Sequence, residues 1–142
     1  MGRITSGLQV VVSGLGFPEG PVGLPDGRLA FTDMRLQSVF AISGTSATLV
    51  ARIIGSPNGA TLGWDGALYL ANNGGIAPSS SEDVWYSTPR IDGCIQRLTL
   101  DGGVEQADTG PLPGSLPHRP NDLCFGPDGA LYFTDPHNWE VL

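Results

Sequence analysis

The feature that most constrains this chain is a sixteen-residue segment that occurs three times. The copies read PEGPVGLPDGRLAFTD at residues 18–33, PNGATLGWDGALYLAN at residues 57–72 and PNDLCFGPDGALYFTD at residues 120–135. Each begins with Pro and then Glu or Asn, reaches Asp-Gly eight residues after the Pro, and ends on Asp or Asn fifteen residues after it. Agreement at so many offsets indicates a repeated structural unit.

Each copy predicts a β-hairpin. Its Asp-Gly lies between β-prone runs, and Gly supplies the positive φ that tight hairpin turns require. In the third copy the two strands are residues 123–125 and 131–133. Further strand-like runs at 38–42, 47–54 and 94–100 bring each unit to about four strands. The 21 Gly and 12 Pro leave little room for long helices. Repeated four-stranded units in an all-β chain predict the blades of a β-propeller.

The spacing of the copies sets the expected blade boundaries. Successive copies lie 39 and then 63 residues apart, against a blade period of roughly 40–45 residues. The longer interval therefore requires an insertion, for which residues 74–92 are the candidate surface loop. We predict a partial propeller over residues 1–142, with blade 1 at about 8–54, blade 2 at about 55–100 including the inserted loop, and blade 3 from about 101 and incomplete at 142.

Three blades cannot close a ring, and they leave two sheet faces uncovered. Three explanations remain open at this point. The chain is a fragment of a longer protein, or one half of a split propeller with a separate partner, or a three-plus-three homodimer that closes a ring of six blades. Self-association, or a partner that supplies the missing blades, is therefore expected.

Charge and composition exclude several classes of partner. The net charge is −7 and all seven basic residues are Arg, so no basic patch is available to neutralise phosphates or an anionic membrane. No apolar run approaches the ~18 residues of a membrane span, and the first residues lack a signal-peptide apolar region, so a cytoplasmic location is expected. Cys94 and Cys124 lie in apolar runs and are expected to be buried free thiols.

The repeat starts resemble the senescence marker protein, gluconolactonase and luciferin-regenerating-enzyme family. The resemblance is carried by FPEGPV at 17–22 with LAFTD at 29–33, PNG at 57–59, ANNGG at 71–75, RPNDL at 119–123 and LYFTDP at 131–136. Each motif is weak alone, but the ordered set spans nearly the whole chain. The resemblance implies a six-bladed propeller that hydrolyses lactones with a divalent cation, usually Ca²⁺, with Mg²⁺ or Zn²⁺ as alternatives.

The resemblance also implies roles for particular residues. Glu19 is similar to the family's metal-binding glutamate, Asn121 to an asparagine near metal and substrate, and Arg119 to a substrate-contacting arginine. The family's later metal ligand and its proposed general base belong to blades that follow Asp135. The catalytic residue is therefore unassigned.

The repeat itself predicts a shared site. Glu19, Asn58 and Asn121 occupy the same position in their copies, so we expect them to converge at one mouth of the channel. Their oxygens suit a hard cation such as Ca²⁺. Asn58 and Asn73 are each explained as well by a turn as by a role in the site. The candidate substrate contacts are Arg119, Asn58, Asn73 and His118. Asp33 and Asp135 are expected to be structural, and Asp122 to brace its turn through local backbone bonds.

These observations favour a metal-dependent hydrolase that opens lactone rings. In such a reaction a divalent cation polarises the carbonyl and acidifies water, and a carboxylate takes the proton. The alternative is a non-catalytic propeller fragment that acts as a binding or interaction module. No Gly-x-Ser-x-Gly or His-Glu-x-x-His motif is present, so serine nucleophile and HExxH metalloprotease chemistry are not supported.

Overall fold

The computed structural model describes residues 7, 9–78, 84–107 and 117–136. Its strands are β1 (Pro18–Gly23), β2 (Leu29–Asp33), β3 (Ser38–Ser43), β4 (Ser46–Arg52), β5 (Pro57–Leu62), β6 (Leu68–Asn72), β7 (Ile76–Pro78), β8 (Val84–Tyr86), β9 (Cys94–Leu98), β10 (Val104–Ala107), β11 (Leu123–Phe125) and β12 (Leu131–Phe133). Within the described residues there is no helix, and thus none that could cross a membrane.

The strands form successive antiparallel sheets. Blade 1 has the order β1-β2-β3-β4, blade 2 the order β5-β6-β9-β10, and blade 3 is the hairpin β11-β12. The repeated segment supplies the first two strands of every blade, as its hairpin pattern predicts. The predicted all-β propeller architecture, with about three blades, is confirmed.

The second blade extends further than its predicted end near residue 100. Val104 pairs with Leu98 and Ala107 with Ile95, so β10 is the outermost strand of blade 2 rather than the start of blade 3. The cause is the Asp101-Gly102 turn, in which Gly102 has a φ of +97°. There the Thr99 N–H donates to the Gly103 carbonyl at 2.9 Å, which turns the chain back along β9.

The insertion after β6 is a second hairpin rather than an irregular loop. β7 and β8 pair antiparallel, with Ala77 opposite Trp85. Ile76 and Ala77 are buried, so this hairpin packs into the protein where it leaves the blade. Residues 79–83 of the predicted loop lie outside the described residues.

The core lies between the blades. Val39 and Ala30 of blade 1 pack with Leu68 and Leu70 of blade 2 in one buried cluster. A second cluster joins blade 2 to blade 3, with Ala71 and Ile95 against Leu123 and with Tyr69, Leu131 and Phe133 at its edge. Alternate residues of β6 therefore serve opposite neighbours, as strand geometry requires of a sheet covered on both faces.

The two cysteines differ in environment. Cys94 is 2% exposed, and burial raises the pKa of its thiol to about 11. Cys124 is exposed, contrary to the expectation that both are buried. It lies on the face of blade 3 that points away from blade 2, which no described residue covers, whereas Cys94 lies in the middle blade.

The first strands of neighbouring blades approach closely at glycines. β5 contacts both β1 and β11. A Cβ at Gly20 would lie 2.5 Å from the Ala60 nitrogen, and one at Gly59 would lie 2.7 Å from the Asp122 Cα atom. Between the same strands the Gly59 N–H donates to the Asn121 carbonyl at 2.7 Å. The inner strands thus pack backbone against backbone at the position where two of the three copies have Gly.

Replacing Gly20 with Ala tests this approach. Gly20 has a φ of +51° and Gly27, at a hairpin tip with nothing within 4 Å, has a φ of +85°. Both substitutions incur the left-handed backbone penalty of about 1–2 kcal/mol, and Gly20→Ala adds about 1–3 kcal/mol of overpacking. We expect denaturant unfolding to show a clearly larger loss for Gly20→Ala than for Gly27→Ala. Equal losses would show that the strands can move apart.

Candidate functional site

A cavity of about 570 Å³ opens where the first strands of the three blades meet. Its polar lining comes from one position of the repeat, Glu19, Asn58 and Asn121, together with Asp122. Phe17 and Met34 contribute apolar surface. The structure therefore brings together the three residues that share a repeat position.

A β-bulge aims the first two of these side chains. The pairing of β1 with β2 shifts register between Glu19 and Val22, and that of β5 with β6 shifts between Pro57 and Ala60. A bulge bends its strand and re-aims the residue beside it. Glu19 lies at the edge of the first shift and Asn58 lies within the second, so a bulge near the start of each blade's first strand orients both side chains.

The last residue of each repeat fixes the start of the same repeat. Asp33 accepts the Phe17 N–H at 3.0 Å, Asn72 accepts the Ser56 N–H at 2.9 Å and Asp135 accepts the Arg119 N–H at 2.7 Å. In each case the donor directly precedes the repeat's proline. We call this bond the repeat clamp, and it agrees with the structural role expected of Asp33 and Asp135.

Additional bonds make the clamp rigid in the first two blades. Asp33 is fully buried and also accepts the N–H groups of Gly16, Arg35 and Leu36 at 2.7, 3.1 and 2.9 Å. Asn72, also fully buried, donates to the Ile54 carbonyl at 2.7 Å and to Gln96 Oε1 at 3.0 Å. A carboxylate suits the surroundings of Asp33, which offer only N–H donors. An amide suits the surroundings of Asn72, which offer both donors and acceptors.

The side chains of Glu19, Asn58 and Asn121 differ from those of the clamp residues in their hydrogen bonding. Among the described residues, none makes a hydrogen bond to any of these three side chains. Asn58 is only 6% exposed, so its amide is buried, and it lines the cavity without a hydrogen-bond partner in the part of the chain that the structure describes. Buried polar groups are normally paired, and an exception calls for water, an ion or a ligand.

Asp122 takes the bracing role expected of it. Its Oδ1 accepts the Leu123 N–H at 2.8 Å, and its own N–H donates to Thr134 Oγ1 at 3.1 Å. The carboxylate lies against Gly59 and also lines the cavity.

His118 and Arg119 lie at the outer end of the third repeat and do not line the cavity. Nδ1 of His118 is 2.5 Å from Asp135 Oδ2, and its ring lies edge-on to Phe133 at 6.0 Å. The Arg119 guanidinium donates to the His118 carbonyl at 2.9 Å and lies beside Gly74 at the base of the inserted hairpin.

The His118–Asp135 pair was missed by sequence reasoning, although the alignment of copies contains a signal for it. His118 stands two residues before its proline, where the first copy has Gly16. Gly16 donates its backbone N–H to Asp33 Oδ2, and the imidazole of His118 takes the equivalent carboxylate oxygen of Asp135. A histidine at that offset before a clamp aspartate predicts this contact.

Asn73 acts as a turn residue. Its Oδ1 accepts the N–H groups of Gly75 and Ile76 at 3.0 and 2.9 Å, and its Nδ2 donates to the Ile76 carbonyl at 2.8 Å. It does not line the cavity, and these bonds explain its burial.

The cavity's donor set fits a hard cation in part. Glu19 offers a carboxylate, and Asn58 and Asn121 offer amide oxygens, which are the ligand types of Ca²⁺ and Mg²⁺. Within the described residues no group of three or more His, Cys, Asp or Glu could hold a metal ion. The lining therefore contains no nitrogen- or sulfur-rich set of the kind that zinc prefers.

Comparison with solved structures places the fold. The chain is similar to a gluconolactonase from Xanthomonas campestris, with 22% identity and a TM-score of 0.65 over 87% of this chain and 36% of that one. It is also similar to a protein described as a candidate gluconolactonase, with 25% identity and a TM-score of 0.68 over 92% of this chain and 40% of that one. No family model and no curated protein matches the chain.

A third similar structure has a different activity. The PQQ-bound aldose sugar dehydrogenase from Streptomyces coelicolor shows 20% identity and a TM-score of 0.60 over 90% of this chain and 40% of that one. The chain thus spans well under half the length of each of these proteins. It has a gluconolactonase-like propeller fold, and the fold alone does not distinguish a hydrolase from a dehydrogenase.

Proposed function

We propose that this chain supplies cation- and substrate-binding residues of a metal-dependent hydrolase that opens lactone rings. The observation that carries the proposal is the convergence of Glu19, Asn58 and Asn121 on one cavity with no hydrogen-bond partner among the described residues. The likeness to gluconolactonase structures supports the same conclusion.

In this proposal Glu19 and Asn121 hold the cation, which is Ca²⁺ in preference to Mg²⁺ or Zn²⁺. Glu19 supplies the negative charge, and Asn121 supplies a neutral oxygen from the neighbouring part of the ring. Asn58, which lies between them in the order of the blades, contributes its amide to the cation or to the substrate. Because Ca²⁺ takes about six to eight oxygens, water and substrate complete the set.

The bound cation would supply Lewis-acid polarisation of the lactone carbonyl and would acidify water. The chain's own residues would bind and orient the substrate. Phe17 and Met34 flank the polar group and exclude bulk water from one side of the cavity. Asp122 is anchored by the Leu123 N–H, which keeps its carboxylate at the cavity wall. The repeat clamps hold the strand starts, so the oxygens need little rearrangement to bind.

Arg119 and His118 remain proposed substrate contacts at the periphery of this site. Arg119 can turn its guanidinium toward an anionic or hydroxylated substrate only by giving up the His118 carbonyl. The amide of Asn73 is engaged in its turn, so we give it no direct contact in the mechanism.

Substituting Glu19 tests the metal mechanism. We expect Glu19→Gln to weaken Ca²⁺ binding measured by calorimetry by at least about tenfold, because the cation loses its charged ligand. Glu105→Gln is the matched control, since it removes the same charge from an exposed position on β10, the outermost strand. It should leave Ca²⁺ affinity within about twofold.

The same variants should be assayed with several sugar lactones in the presence of Ca²⁺, Mg²⁺ or Zn²⁺. Hydrolysis that survives both chelation and Glu19→Gln would contradict the metal mechanism. Absence of Ca²⁺ binding at millimolar metal would favour the non-catalytic binding module.

The unpaired amide of Asn58 makes a separate prediction about stability. Asn58→Leu removes a buried group that has no hydrogen-bond partner among the described residues, so the free energy of unfolding without metal should change by less than about 1 kcal/mol. The control Asn72→Leu strips partners from the Ser56 N–H and the Ile54 carbonyl, and should cost at least about 3 kcal/mol. Denaturant unfolding measures both. Equal losses would mean that the Asn58 amide is satisfied within the protein.

A further inference from the structure

A second bond recurs between neighbouring blades, just before the start of the repeat. Its acceptor is the carbonyl of the residue that stands two positions before the repeat's proline, Gly55 in blade 2 and His118 in blade 3. Gln37 Nε2 donates to the Gly55 carbonyl at 2.8 Å, and the Gly93 N–H donates to the His118 carbonyl at 3.1 Å. We call this bond the blade latch, because in both cases its donor belongs to the preceding blade.

The two donors occupy the same place in their blades. Gln37 directly precedes β3, whose first residue pairs with the clamp residue Asp33. Gly93 directly precedes β9, whose first residue pairs with the clamp residue Asn72. A side-chain amide donates in blade 1 and a backbone N–H donates in blade 2, although the accepting carbonyl is equivalent. The latch therefore belongs to the repeat rather than to one residue type.

In blade 2 the latch and the repeat clamp hold opposite ends of one peptide group. The carbonyl of the Gly55–Ser56 peptide accepts from Gln37 of blade 1 at 2.8 Å, and its N–H donates to Asn72 Oδ1 of its own blade at 2.9 Å. Because a peptide group is planar, bonds at both ends fix its orientation. The proline that follows fixes its own φ and restricts the residue before it. Few backbone angles therefore remain free before Asn58.

Blade 3 has the same arrangement before Asn121. The carbonyl of the His118–Arg119 peptide accepts from Gly93 of blade 2 at 3.1 Å, and its N–H donates to Asp135 Oδ1 of its own blade at 2.7 Å. The Arg119 guanidinium donates to the same carbonyl at 2.9 Å. A proline again follows, so Asn121 also extends from a peptide that two blades hold.

Gly93 can make the latch because it has no side chain. A Cβ at this position would overlap the His118 carbonyl oxygen and would lie 2.6 Å from the His118 carbonyl carbon and 2.8 Å from Pro120 Cδ. Gly93 does not have a positive φ, so the lack of space rather than the backbone conformation requires glycine. A backbone and a proline ring cannot turn aside, and the start of the third repeat would therefore shift.

Gln37 makes the latch from an unusual backbone conformation. Its φ is +51°, which residues other than glycine seldom adopt. Its carbonyl accepts the Ile53 N–H at 2.8 Å while its side chain bonds Gly55. Such a conformation persists where the surrounding contacts over-determine it.

We propose that Gln37 and Gly93 are positioning residues for the candidate site. Each fixes, from the preceding blade, the peptide that leads into the next polar side chain of the cavity, Asn58 or Asn121. The spacing of these oxygens is then set at the strand starts as well as by the core between the blades. The proposal rests on the proposed function only in treating Asn121 as a cation ligand.

Amide hydrogen exchange of the full chain tests the latch without any ligand. Gln37→Met keeps the length of the side chain but removes the donor, so exchange of the Ser56 N–H should accelerate at least about tenfold relative to the buried core amide of Leu70. Gly93→Ala should do the same to the Arg119 N–H. Each variant is the matched control for the other, because Gln37→Met should leave Arg119, and Gly93→Ala should leave Ser56, within about twofold.

This pattern separates positioning from a general loss of stability, which would accelerate all of these amides together. Gly23→Ala is the control for an added methyl group. A Cβ at Gly23 would meet nothing within 4 Å, and the other two copies have Leu62 and Phe125 at this position. The Gly23→Ala variant should leave exchange at Ser56 and Arg119 unchanged.

A double-mutant cycle on Ca²⁺ affinity connects the latch to the site. Gly93→Ala and Asn121→Ala should each weaken Ca²⁺ binding measured by calorimetry at least about fivefold. If Gly93 acts through Asn121, the double variant should bind Ca²⁺ within about twofold of Asn121→Ala alone. Gly23→Ala should leave the affinity unchanged.

Two results would overturn the proposal. The first is exchange that accelerates equally at Ser56, Arg119 and Leu70, or at none of them. The second is a fully multiplicative loss of Ca²⁺ affinity in the double variant, which would mean that Gly93 does not act through Asn121. Should Gly93→Ala fail to fold, the exchange of Ser56 in Gln37→Met decides. Absence of Ca²⁺ binding by the unaltered protein would contradict the metal mechanism alone, because the exchange measurement needs no cation.

Discussion

The repeat clamp is the interaction on which the rest of this structure depends. In each blade one side chain, Asp33, Asn72 or Asp135, binds the backbone N–H that directly precedes the blade's first proline. That bond ties the end of the second strand to the start of the first strand. The side chain of the residue after the proline lines the cavity. The clamp therefore fixes the backbone position from which that side chain extends. Three blades with the same clamp therefore deliver three polar side chains to one place, and full burial of the first two clamp residues keeps water from competing for their bonds.

Much of this could be predicted from sequence because the information is repeated. The Asp-Gly turns identify the hairpins, and the shared offset of Glu19, Asn58 and Asn121 predicts their convergence without any knowledge of side-chain packing. What could not be predicted depends on single, unrepeated contacts. Because β10 pairs with β9, blade 2 ends later than the sequence predicts. The exposure of Cys124 depends on which face of blade 3 is covered. Asn73 was a candidate substrate contact because of its neighbours in sequence, but its backbone bonds assign it to the turn.

The fold and the chemistry must be argued separately. Gluconolactonase structures and a sugar dehydrogenase share this architecture with the chain at 20–25% identity, so the arrangement of blades is compatible with more than one reaction. Two classes of polar residue in the repeat bear on the chemistry. Asn72 uses its amide fully inside the protein, whereas Asn58, at the other end of the same hairpin, leaves a buried amide unpaired. An amide at the cavity wall with no partner among the described residues is available to water, an ion or a ligand.

The candidate site joins three blades that differ in the size of their described sheets. Asn121 lies two residues before the hairpin that forms the described part of blade 3, and the Asp135 clamp and the bond from the Gly59 N–H to the Asn121 carbonyl hold this hairpin in position. Within the described residues, blades 1 and 2 each have four strands, so Glu19 and Asn58 belong to larger sheets. A ligand that binds all three oxygens would bridge the three blades, so ligand binding and the packing of the blades would stabilise each other by linkage.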